Sequence, residues 1–87
     1  MRRRLHRVVL HALLRELAEG AKTWTELHRA AIEVGASTTT FRTVLRAALE
    51  DGEIEHLGER GPYIITERGL KTLRYLEEYL ASDKTSQ

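Results

Sequence analysis

Two amphipathic stretches of this chain meet across almost no linker. In "TWTELHRAAIEVGASTTTFRTVLRAALEDG", Gly35 ends the first stretch, and only two residues separate it from Thr38, where the second begins. Thr23 and Glu26 form a T-x-x-E capping box, which starts a helix near Trp24. Leu27, Ala30, Ala31 and Val34 then recur at helical spacing. Ser37 or Thr38 supplies the next N-cap. Phe41, Val44, Leu45, Ala48 and Leu49 follow as a single apolar stripe, closed by Gly52. A joint this short, with glycine in it, makes two helices turn sharply on each other rather than run on as one.

The flanking segments say what this pair packs against. Residues 4–19 read as a helix whose apolar set is Leu5, Val8, Val9, Leu10, Ala12, Leu13, Leu14, Leu17 and Ala18. That set is far wider than the roughly 100° stripe of a surface helix, so the helix is covered on more than one side. The expected covers are its own core and a second chain. Gly20 stands where a C-terminal cap belongs. "EIEHL" alternates like a strand, "GERGP" punctuates a turn, and "YIIT" is a second β-branched run, which together predict a two-stranded hairpin. An isolated hairpin is marginal in water, so this one must rest on the helices. A last helix, capped by Thr66, is expected over about 66–81, with Leu70, Leu73, Leu76 and Leu80 along one seam and Tyr75 and Tyr79 along another. Residues 83–87 are expected to fray.

Composition narrows the function classes. Eighty-seven residues make one domain, taken here as 1–82, with a modest core that association would support. The absence of cysteine excludes disulfides, thiolate zinc sites and cysteine nucleophiles. No phosphate-binding loop and no Ser, His and Asp arrangement is present, so neither an enzyme nor a cofactor is expected. His6 and His11, five residues apart, do not share a helix face, so no metal site is expected either. The chain lacks Asn, has a single Gln and draws most of its positive charge from arginine, a composition that suits a thermophilic source. The apolar run after the N-terminal arginines is interrupted by His6, Arg7, His11 and Arg15, which argues against a signal peptide or membrane span and for a cytoplasmic protein. The net charge of +1 conceals a basic first half, with nine Lys/Arg against four Asp/Glu over residues 1–49. That bias suits contact with a polyanion.

The order helix, helix, turn, helix, hairpin, helix resembles the winged helix-turn-helix fold, specifically the small regulators of archaea and bacteria. The likeness is carried by "LEDGEI", with Leu49, Gly52 and Ile54 leading into the wing, and by "YIITERG", with Tyr63, Ile65, Thr66 and Gly69 returning from it. It implies an α+β, mostly α architecture: a three-helix core, a two-stranded wing and a C-terminal dimerisation helix. It also implies binding of double-stranded DNA as a transcriptional regulator, with the third helix in the major groove, while the excess apolar surface of the first and last helices points to a homodimer. Ser37, Thr38, Thr39 and Thr40 would then meet phosphates or thymine methyls, and Arg42, Thr43 and Arg46 would meet base edges. Arg60 of the wing, Arg29 of the second helix and Arg4, in a basic arm with Arg2, Arg3 and Arg7, would add backbone contacts. Leu5, Val9, Leu73, Leu76, Tyr79 and Leu80 are the expected dimer surface.

The same residues have local readings. Ser37 and its neighbouring threonines can serve only as caps, Arg42 and Arg46 can be a solvated face with Arg46 pairing Glu50, and the basic arm can be an unstructured terminus. Glu53, Glu55 and Glu59 make the hairpin partly acidic. Two other functions therefore fit the fold: a protein-interaction module without DNA binding, or an architectural DNA binder without sequence preference.

Overall fold

The first helix is wide in apolar residues because three other helices and a strand lean on it. In the computed structural model, which describes residues 4–85, α1 (Arg4–Ala18) packs against α2 (Trp24–Glu33), α3 (Thr38–Glu50), β2 (Tyr63–Ile65) and α4 (Glu67–Thr85). Val9, Leu10, Leu13, Leu14 and Leu17 of α1 are buried together with Leu27, Phe41, Leu45, Ile54, Leu73 and Leu76 in one core. Each large apolar side chain so buried contributes about 1.5–3 kcal/mol. Cover expected from a second chain is therefore supplied largely within the first.

Local signals set the helix limits. The Thr23 capping box is complete: the Thr23 N–H donates to Glu26 Oε1 at 2.8 Å and the Glu26 N–H to Thr23 Oγ1 at 3.1 Å. These bonds hold the Glu26 carboxyl below its ordinary pKa. Ser37, rather than Thr38, is the N-cap of α3, its Oγ accepting from the Thr40 N–H at 3.1 Å. The last helix runs to Thr85, past the expected end near residue 81 and into the expected tail. No glycine or proline interrupts that extension.

The hairpin pairs β1 (Ile54–His56) with β2 in antiparallel register, Ile54 opposite Ile65 and His56 opposite Tyr63. Lys22, between α1 and α2, adds an isolated antiparallel bridge to Tyr63. The motif residues now have physical reasons. Gly52 takes φ +76°, a left-handed turn that an L side chain resists. Thr66 Oγ1 donates to the Gly52 carbonyl and accepts from the Gly69 N–H, joining the end of α3 to the start of α4. A Cβ at position 69 would collide with the Glu53 carbonyl oxygen, so the helix approaches the strand only because glycine stands there.

The expected dimer surface needs correction. Val9, Leu73 and Leu76 are 0%, 8% and 2% exposed within the single chain, so they have no area left for a partner. Leu5 stays 41% exposed, Tyr79 and Leu80 are half-buried, and Tyr75, outside the expected dimer set, is 60% exposed.

Candidate nucleic-acid interface

The start of α3 distributes its hydroxyls unequally. Ser37 and Thr40 serve the cap, the Ser37 hydroxyl also donating to Thr40 Oγ1 at 3.2 Å. Thr38 shares a hydrogen bond of 2.8 Å with His28 Nε2, from the facing side of α2. Thr39 is exposed, as are Arg42, Thr43 and Arg46. Those four stand at i, i+3, i+4 and i+7, one row along the helix. Among the described residues no ion pair ties Arg42 to an acidic group or Arg46 to Glu50. The row therefore presents two cations and two hydroxyl-bearing side chains beside the amides of a helix N-terminus, an arrangement that suits phosphate oxygens and base edges.

Beneath the row lies an aromatic cluster. Trp24 stacks on His28 with ring centres 4.9 Å apart and meets Phe41 edge-on at 5.2 Å; His28 lies 5.2 Å from Phe41. The Arg42 guanidinium carbon sits 5.8 Å from the centre of the Trp24 ring. His28 had no role in the sequence reading. Its i, i+4 spacing from Trp24 was the available signal, since it puts both rings on the α2 face that meets Phe41.

The wing is shaped by His56, which stacks on Tyr63 at 4.1 Å and donates through Nε2 to the Gly61 carbonyl at 3.0 Å. Arg60 is exposed at its tip and lines a groove with Thr23, Trp24, Thr25 and His56. Glu55 and Glu59 are exposed, so the wing surface keeps an acidic component. Glu53 does not add to it. Only 5% exposed, it accepts from the Thr72 hydroxyl of α4 at 2.8 Å through Oε2.

The remaining basic residues do not join the α3 row. Arg29 lines a cleft with Glu16, Glu26 and Glu33, an acidic setting. Arg4 and Arg7 belong to α1 itself rather than to an extended arm; Arg2 and Arg3 lie outside the described residues. Arg7 is committed to Tyr79, donating to its hydroxyl at 2.9 Å with its guanidinium carbon 4.6 Å from the ring centre. Among the described residues, no helix is long and apolar enough to cross a membrane, and no His, Asp and Glu cluster is placed to hold a metal ion.

Among the described residues, four helices, a tight turn between the second and third, and a hairpin wing stitched to the fourth make a winged helix-turn-helix fold. Comparison of whole folds agrees. The crystal structure of SSV1 F-93 aligns with this chain at a TM-score of 0.70 and 19% sequence identity, over 95% of this chain and 92% of that one. No protein-family model matches the sequence, and no curated protein does.

Proposed function

We propose that this protein binds double-stranded DNA through α3 and acts as a dimeric, sequence-specific transcriptional regulator. The observation that carries the reading is the outward row of Thr39, Arg42, Thr43 and Arg46 on the second helix of the helix-turn-helix. In this geometry the row enters the major groove, the arginines reach guanine O6 and N7, and the helix start approaches a phosphate. Arg60 is the wing's contribution. The dimer forms through Leu5, Tyr75, Tyr79 and Leu80, apolar side chains that α1 and α4 leave at least partly exposed. A two-fold pair of α3 helices then reads half-sites about one helical turn apart.

Fluorescence anisotropy with labelled duplex over a salt series tests this. Wild-type affinity is expected to fall as salt rises, because phosphate contacts release counterions. The double variant Arg42→Ala, Arg46→Ala is expected to bind about ten-fold more weakly or worse, with a shallower salt slope. A double variant that binds like wild type would remove α3 as the reading surface. Comparable affinity for selected and unrelated duplexes would favour the architectural binder.

A second reading is favoured by the exposed Glu55 and Glu59. An acidic wing suits a protein partner with a basic face better than it suits phosphate. Failure of wild-type protein to bind any duplex at low salt selects this reading.

A further inference from the structure

Resting on the DNA-reading row proposed above, we propose that Trp24 is a positioning residue that sets the specificity of Arg42 without touching DNA. An exposed arginine on a helix ordinarily samples many rotamers, and its planar fork recognises guanine only when aimed. Arg42 has a support on a neighbouring element: the Trp24 ring lies under its guanidinium at 5.8 Å, within the range of a cation–π contact. The indole is in turn fixed on the α2 side by stacking on His28 and against α3 by the edge of Phe41. His28 also bonds Thr38, one turn before Arg42, so the same ring cluster holds both the start of α3 and its first arginine.

Core packing accounts for only part of the Trp24 ring. Phe41 is fully buried and occupies the centre of the contact, whereas Trp24 keeps part of its surface in the groove below the wing. The indole thus packs against the core and still offers part of its ring to a cation. Arg46, one turn further along the row, has no ring beneath it among the described residues. The two arginines carry equal charge and differ in how firmly they are aimed.

Two measurements test this assignment. The first uses the DNA-free protein, so it stands apart from the DNA-reading proposal. The Arg42 side-chain protons are expected upfield of their ordinary NMR positions through the Trp24 ring current, and Trp24→Phe is expected to keep part of that shift. Unshifted protons in the wild type overturn the inference, whether or not DNA binds. The second is a binding cycle on the duplex recovered by wild-type protein from a randomised pool. Trp24→Leu is expected to weaken binding about two- to five-fold, with Trp24→Phe close to wild type. With Arg42→Ala already present, Trp24→Leu is expected to have no further effect. Equal loss in both backgrounds means that Trp24 serves the fold alone and overturns the inference. A wild-type protein that recovers no duplex overturns the DNA-reading proposal and, with it, this use of Trp24.

Discussion

Four consecutive hydroxyls, Ser37 to Thr40, look interchangeable in the sequence and have different work in the fold. Ser37 holds the Thr40 amide, the third of α3, and Thr40 shares its hydroxyl with Ser37. Thr38 is drawn to His28, and Thr39 alone is left facing outward without such a bond. Ser37→Ala is therefore expected to cost about 1 kcal/mol in urea denaturation, while Thr39→Ala stays within about 0.5 kcal/mol of wild type. Equal effects of the two substitutions would mean that the cap does not lie at Ser37. The capping role was legible because N-cap chemistry reaches only three residues along the chain. The choice among the threonines was not, because it depends on a histidine ten residues away, brought into reach by the turn.

At the scale of elements, the starts and stops were legible for the same local reason. Thr23 with Glu26, Gly52, and Thr66 in its bond from the Gly69 N–H each act on backbone within a few residues. Two misreadings concern what stands on the other side of an element. The apolar width of α1 shows that it is surrounded, and nothing in its periodicity says whether the cover comes from the same chain. Alternation in β1 placed Glu53 beside Glu55 as wing charge, but Glu53 precedes the strand and turns inward to Thr72 of α4. The surroundings of Arg29 were hidden for a related reason: helical spacing gives its angle on α2, while the carboxylates that share its cleft come from α1 as well as α2. The row of Thr39, Arg42, Thr43 and Arg46 was legible because a single helix carries it whole. Its aromatic support was not, because that requires two helices to meet.

At the scale of the whole molecule, the corrected surface separates folding from association. Leu76 is 2% exposed and central to the contact of α4 with the core, so Leu76→Glu is expected to unfold the chain. Tyr75, its neighbour, is 60% exposed and stacks with Tyr79 at 6.3 Å. Tyr75→Glu is expected to keep the helical circular dichroism spectrum and sediment as a monomer. A folded Tyr75→Glu protein that still sediments as a dimer would move the interface elsewhere.

The bridge between Lys22 and Tyr63 has a consequence in time. Its two backbone bonds, Lys22 N–H to the Tyr63 carbonyl at 3.0 Å and Tyr63 N–H to the Lys22 carbonyl at 2.7 Å, join residues 41 apart in the chain. Contacts that distant close late, because the intervening loop must first lose its freedom. The Trp24, His28 and Phe41 cluster spans a much shorter segment, so α2 and α3 are expected to associate before the wing docks. In stopped-flow kinetics, Phe41→Leu should then slow refolding, whereas Tyr63→Leu should mainly hasten unfolding. The reverse pattern would make the sheet the nucleus. On the expected order, the helix pair that carries the reading row is the first part of the protein to exist, and the wing is the first to come loose.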